Sequence, residues 1–340
     1  MKKNLIAFAA ATLCAAGAYA QSSVQLTGIV DLYAGSKQYA GTQKTTRVDS
    51  GGLTTSWWGL KGTEDLGGGL KASFQLTSFF QADSGVQGRF AGDTFFSRDA
   101  NVSLSGGFGS VLLGRWMAPN FLPSVVGNPI GDSFTFSPLI LHKDVPVFGA
   151  SGPIIPTMTP SDTGWSNQVV YSTPDIGGFK ANLQYQFGEQ AGNTGKNNVG
   201  ANFFYFGGPL TLTGFYENAD VGNPGGALLA NNHKYWMLLG AYDLGMIKPY
   251  LSYGEKKIDD TTNTKGKTYQ IGASAPLGQG KVLVEWVKTE WSFNTERKTF
   301  ALGYDYNLSK RTDVYAMYLN DKYTGLNNGN SLGVGVRHRF

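Results

Sequence analysis

Phe179-Lys180-Ala181-Asn182-Leu183-Gln184-Tyr185-Gln186-Phe187 carries an apolar residue at every odd position and a polar one at every even position. Successive side chains of a β-strand point to opposite faces, so this stretch reads as a strand with one apolar and one polar face. The pattern recurs. Leu70, Ala72, Phe74 and Leu76 alternate with Lys71, Ser73, Gln75 and Thr77, and Phe300, Leu302, Tyr304 and Tyr306 repeat the spacing. At the end of the chain Leu332, Val334, Val336, His338 and Phe340 fall on one face, with Ser331, Gly333, Gly335, Arg337 and Arg339 on the other.

Sixteen such segments begin near residues 24, 54, 69, 95, 109, 166, 179, 199, 210, 233, 246, 266, 280, 296, 312 and 331. Their connections alternate in length. Tight ones fall at 65–69, 106–109, 174–178, 207–209, 243–245, 277–280 and 307–311, with long polar ones between them. Sixteen amphipathic strands in lipid must join end to end, because an open edge would leave backbone N–H and C=O groups unpaired in hydrocarbon. The expected fold is therefore all-β: a 16-stranded antiparallel transmembrane β-barrel with short periplasmic turns and long external loops. About 16 strands leave an aqueous lumen. A soluble β-sandwich or lectin would also show alternating strands; the leader, the loop asymmetry and the terminal Phe340 favour the barrel.

Composition agrees. Aromatic residues make up 13% and charged residues only 15%, against roughly 25% in soluble globular domains. Mean hydropathy is nevertheless slightly negative, as expected when lipid-facing apolar residues alternate with water-facing polar ones. Residues 1–20 are laid out as a secretory signal: basic Lys2 and Lys3, an apolar run from Leu5 to Ala16, and Ala18-Tyr19-Ala20 before the expected cleavage. The barrel domain would occupy 21–340. No stretch reaches the roughly 20 apolar residues of a membrane helix.

Cys14 is the only cysteine and lies in that leader, which excludes a disulfide scaffold, a thiolate metal site and a cysteine nucleophile in the mature chain. Without Lys2 and Lys3, 26 basic residues face 24 acidic ones, a balance unlike that of a nucleic-acid binder. His142, His233 and His338 form no Ser/His/Asp spacing and no metal-ligand cluster. No enzymatic activity and no cofactor or metal are expected. An adhesin or receptor role for the loops is compatible with a barrel.

Six stretches in order resemble the general (diffusion) porin family of Gram-negative bacteria, β-proteobacterial type. They are Leu26-Thr27-Gly28-Ile29-Val30-Asp31; the run from Trp58 to Leu70 that contains Gly62-Thr63-Glu64-Asp65-Leu66-Gly67; Val102-Ser103-Leu104-Ser105-Gly106-Gly107-Phe108-Gly109 with Leu113-Gly114-Arg115; Tyr171-Ser172-Thr173-Pro174 with Gly177-Gly178-Phe179; Leu308-Ser309-Lys310-Arg311-Thr312; and the closing Gly333-Val334-Gly335-Val336-Arg337-His338-Arg339-Phe340. The resemblance implies an outer-membrane channel for passive diffusion of ions and small hydrophilic solutes. It implies a homotrimer, embedded in outer-membrane lipid and lipopolysaccharide, with a third external loop folded inward. That loop would span 117–165; capping the barrel from outside is the other placement open to it. Phe340 resembles the family's signal for the outer-membrane insertion machinery.

The family sets an arginine ladder on the wall opposite carboxylates on the inward loop. Arg98 and Arg115 match two ladder positions, and Lys61 matches a lower inward lysine. Alternation independently turns Lys71 inward. Trp57 stands where the family has a pore arginine and Val170 where it has another basic residue, so the ladder is thinner. Trp57 shares a face with Lys61, which puts its indole either in the lumen, where it would stack on an aromatic or sugar solute, or in the rim girdle beside Trp58. Asp132 and Asp144 are the acidic candidates on the loop, although the loop lacks the family's Pro-Glu-Phe pattern. Each charged candidate also has a reading as a solvated loop or rim group, the lesser one for Arg98 and Arg115, an even one for Lys61 and Lys71, and the slightly stronger one for Asp132 and Asp144. A channel selective for aromatic acids or sugars is the alternative function.

Overall fold

In the computed structural model, residues 23–149, 152–155, 157–192 and 195–340 are described; the expected signal at 1–20 lies outside them. Nineteen strands occur: β1 (Ser23–Lys37), β2 (Thr45–Ser50), β3 (Trp57–Gly67), β4 (Leu70–Phe79), β5 (Asp99–Gly106), β6 (Gly109–Met117), β7 (Val147–Gly149), β8 (Gly152–Ile155), β9 (Gly164–Ser172), β10 (Phe179–Phe187), β11 (Asn197–Gly207), β12 (Leu210–Val221), β13 (Leu228–Tyr242), β14 (Lys248–Ile258), β15 (Lys265–Leu277), β16 (Gly280–Trp291), β17 (Thr295–Asn307), β18 (Thr312–Tyr323) and β19 (Gly329–Arg339). Seventeen form one antiparallel sheet, while β7 and β8 pair only with each other. β2 and β3 pair with successive stretches of β1. They are two halves of one wall strand, which makes sixteen in all.

Closure is made by β1 on β19, in register from Ile29 opposite Arg339 to Ser36 opposite Leu332. Phe340 completes the seam: its N–H donates to the Gly28 carbonyl at 3.1 Å, and the Gly28 N–H donates to its carbonyl at 3.1 Å. No sheet edge is left to face lipid. Among the described residues no helix is long and apolar enough to cross a membrane.

Register fixes which way each side chain points. Leu60, Leu183, Leu212, Leu251 and Leu302 are exposed on the outer face, where hydrocarbon replaces water. The inner face departs from simple alternation. On β12 to β18 its positions include Phe215, Tyr235, Met237, Leu239, Leu283, Val287, Met317 and Leu319, all buried. These strands read as apolar on both faces because residues 118–163 fold into the barrel and cover them. That segment carries α1 (Phe121–Val126), α2 (Pro138–Asp144) and the β7–β8 pair. Its Ile130, Phe136, Leu139 and Leu141 share two buried clusters with the inner wall, so the molecule's core lies inside the barrel and against one half of it.

Candidate channel and its constriction

Helix α2 is short and would not stand alone; side chains of the wall hold both its ends. Ser137 caps it, accepting from the Ile140 N–H, and the Glu285 carboxylate accepts from Ser137 Oγ and the Leu139 N–H, each at 3.2 Å. At the other end Arg297 Nη1 donates to the carbonyls of Leu141 at 2.9 Å and Val145 at 3.0 Å. A carboxylate at the N-terminus and a guanidinium at the C-terminus complement the helix dipole. Arg297 is itself paired with buried Asp321 through Nε–Oδ1 and Nη2–Oδ2 contacts of 3.0 Å. The His142 ring bridges Thr289 Oγ1 at 2.7 Å and Thr299 Oγ1 at 2.8 Å. Burial, and then the nearby Arg297, push the imidazole well below its ordinary range, so it stays neutral.

The start of the segment is tied to β12, where Glu217 accepts from the Asn120 N–H at 2.8 Å and from Asn120 Nδ2 at 2.6 Å. Its root carries a second buried cluster. Arg89 donates twice to Asp162, at 2.8 and 3.0 Å, and Arg115 Nη2 adds a third contact at 3.1 Å. Burial alone would raise the Asp162 carboxyl. The cations of Arg89 and Arg115 overcome it and hold the group below the usual carboxylate value.

The expected pore residues separate into three groups. Arg115 does not line the lumen. Gly114, with φ of +124°, kinks β6 into an irregular register, and the Arg115 side chain turns into the root of the inward segment. It is 6% exposed, with its donors on Ser97 O, Gly164 O, Ser166 Oγ and Asp162. Asp144 is likewise buried, beside Lys143, in a cluster with Thr159 and Asn120. It fastens the segment to itself instead of presenting charge to solutes. Asp132 is half-buried and accepts from Thr54 Oγ1 at 2.9 Å.

On the opposite half the candidates are exposed or half-buried. Trp57 pairs with Ile29 and Phe79, and Lys61 with Gln25 and Gln75, which places both on the inner face. The Arg98 guanidinium lies 4.1 Å above the Trp57 ring and contacts Asp99 at 2.5 Å. Lys71, opposite Asp65 and Ser105, is exposed at the tight-turn end.

Sequence reasoning missed Lys37, Arg47, Asp49 and Arg89, which border a polar cavity of about 310 Å³ between β1, β2 and the tip residues Phe134 and Thr135. Asp49 lies 3.7 Å from Lys37 and 3.0 Å from Arg47. It also missed Glu217, Glu285, Arg297 and Asp321. The available signal was their phase: each occupies the alternation position opposite the lipid-facing Leu212, Trp286, Leu302 and Tyr318.

Comparison with known proteins gives this architecture a family. A model described as Gram-negative porin matches residues 7–326. The outer membrane porin protein 32 of Delftia acidovorans is 33% identical, with all of each chain covered. An anion-selective porin from Comamonas acidovorans superposes with a TM-score of 0.77 at 28% identity, covering 94% of this chain and all of that one. An outer membrane protein of Vibrio cholerae in a trimer form shares the fold at 15% identity and a TM-score of 0.68, over 94% of this chain and 99% of that one. With a closed wall, an inward segment across one half and an open charged half, this chain belongs to the Gram-negative porin family and is a channel of the outer membrane.

Proposed function

We propose that ions and small hydrophilic solutes pass through the open half of the barrel, between β1 to β6 and the tip of the inward segment, with a modest preference for anions. The cavity bordered by Lys37, Arg47, Arg89 and Asp49 carries this reading. Fixed charges on one side of a narrow aqueous passage bias which ions enter. Arg89 is already paired with Asp93 and Asp162 and Asp49 lies close to both Lys37 and Arg47, so the net bias is small. The Comamonas relative is described as anion-selective, in line with the sign. A channel dedicated to aromatic acids or sugars is not favoured: the Trp57 face that would stack such a solute is covered by Arg98.

Four accompanying assignments belong to the same reading. Residues 1–20 act as a cleaved leader and Phe340 as the insertion signal. The chain assembles as a homotrimer, as a solved relative of the same fold does. Its free outer face meets lipopolysaccharide. On β13 to β17, beyond Trp236, Tyr253, Tyr269 and Trp286, the outer face carries paired rows of Lys234, Lys257 and Lys265, of Glu255, Lys267 and Glu290, and of Lys288 and Lys298. Such rows suit a phosphorylated lipid surface, whereas the outer faces of β1, β2 and β5 present Ala34, Val48, Ala100 and Val102.

Purified protein in planar bilayers tests the channel. We expect stepwise, linear conductance with a small reversal potential of anionic sign in a salt gradient. Silent insertion would refute the passage, and a cationic sign would refute the charge assignment.

A further inference from the structure

The second wall strand is interrupted. β2 pairs with residues 32–37 of β1 and β3 with residues 23–29, and between them residues 51–56, Gly-Gly-Leu-Thr-Thr-Ser, leave the sheet and turn into the barrel. A β-bulge usually adds one residue; six make a small loop that needs its own support. Asp31 of β1 supplies it. Its carboxylate, fully buried, accepts from the backbone N–H groups of Gly52 at 3.2 Å, Leu53 at 2.8 Å and Thr54 at 2.8 Å, and from the Tyr315 hydroxyl. A buried carboxylate is tolerated where donors converge on it, and here three of the four belong to the insertion.

The same six residues are gripped from the lumen side. Ser133 Oγ donates to the Gly52 carbonyl at 2.6 Å, and Thr135 Oγ1 to the Gly51 carbonyl at 2.9 Å. Thr54 Oγ1 donates to Asp132 at 2.9 Å and accepts from Arg337 Nη1 at 2.8 Å. Leu53, 1% exposed, packs with Ile130, Phe136 and Tyr315. Glycine at 52 is required by this packing, since a Cβ there would lie 1.9 Å from the Tyr315 hydroxyl oxygen. Gly51 and Thr55, by contrast, border the polar cavity together with Phe134 and Thr135.

We propose that residues 51–56 are a second constriction element, docked against the tip of the long inward segment so that the two narrow the passage together, and that Asp31 is the positioning residue that latches it in place. The proposal goes beyond the diffusion reading and rests on it: a silent wild type would defeat both, whereas a conducting wild type with unaltered variants would defeat only this one.

The expected leader holds the only cysteine, Cys14, so single-cysteine variants report cleanly. In the assembled outer-membrane protein in planar bilayers, charged methanethiosulfonate reagents should lower the conductance of Thr55→Cys by roughly a third or more, leaving wild type unaffected. Leu53→Cys should resist labelling until Asp31→Asn is added, which should also raise conductance by about 1.5-fold. Heat-modifiable migration establishes folding, and the Thr55→Cys experiment decides alone where Asp31→Asn does not assemble. A Thr55→Cys thiol that labels without changing conductance, or that fails to label in a conducting channel, overturns the proposal. So does Leu53→Cys labelling at equal rates with Asp31 and with Asn.

Discussion

The barrel interior has two halves built on opposite principles. From β12 to β18 the inner wall is packed: apolar side chains meet Ile130, Phe136, Leu139 and Leu141 of the inward segment, and the charges among them, Glu217, Glu285, Arg297 and Asp321, are buried on partners. From β2 to β4 the inner face carries Arg47, Trp57, Lys61 and Lys71, exposed or half-buried. Charge serves as fastening on one side and as field on the other. The same residue types therefore answer to different measurements, stability on the packed half and selectivity on the open half.

That contrast is broken most severely at its strongest fastening. Arg297→Ala leaves Asp321 buried without its guanidinium and frees the end of α2, a loss of about 3–5 kcal/mol. A lower temperature for loss of the folded band in heat-modifiable electrophoresis would show it, together with noisy, enlarged conductance from a loosened segment. Phe136→Ala removes a fully buried ring from the packed half and should cost about 3–5 kcal/mol with a smaller effect on noise. The equivalent truncation on the open half, Lys61→Ala, should stay within about 0.5 kcal/mol; equal losses at both sites would erase the distinction.

Acid gives a graded test. His142 is held neutral, so its protonated form is disfavoured in the docked state and favoured once the segment is released. Docking is therefore at full strength above the ordinary imidazole value of 6.5 and weakens as pH falls below it, by up to about 1.4 kcal/mol per pH unit. Conductance noise should rise between pH 7 and 5 in the wild type and not in His142→Gln. The smallest effect belongs to the open half: Trp57→Arg adds a cation beside Arg98 and should shift the reversal potential toward anions by several millivolts with little change in stability. An unchanged potential would place Trp57 outside the ion path.

The pattern of misplacement follows the same division. Lys61 and Trp57 share a face with Gln75 and Phe79, because on the open half the sheet geometry alone decides where a side chain points. Arg115 matched a ladder position by motif, yet a kink at Gly114 and the presence of Asp162 some 47 residues later turn it into the segment's root. Asp132 and Asp144 were placed on the inward segment, but which carboxylate meets water depends on how that segment coils. Sequence spacing does not encode that.

Period-two alternation and the seven tight turns were enough to dictate a closed amphipathic wall, since a strand with one apolar face in lipid has no stable alternative to pairing at both edges. Which half of that wall would be covered, that residues 51–56 would leave the sheet for Asp31, and which charges remain in water were decided by contacts between residues 81 to 284 positions apart. Burial of a charge is settled by the partners that reach it in space, and those partners exist only once the inward segment has docked.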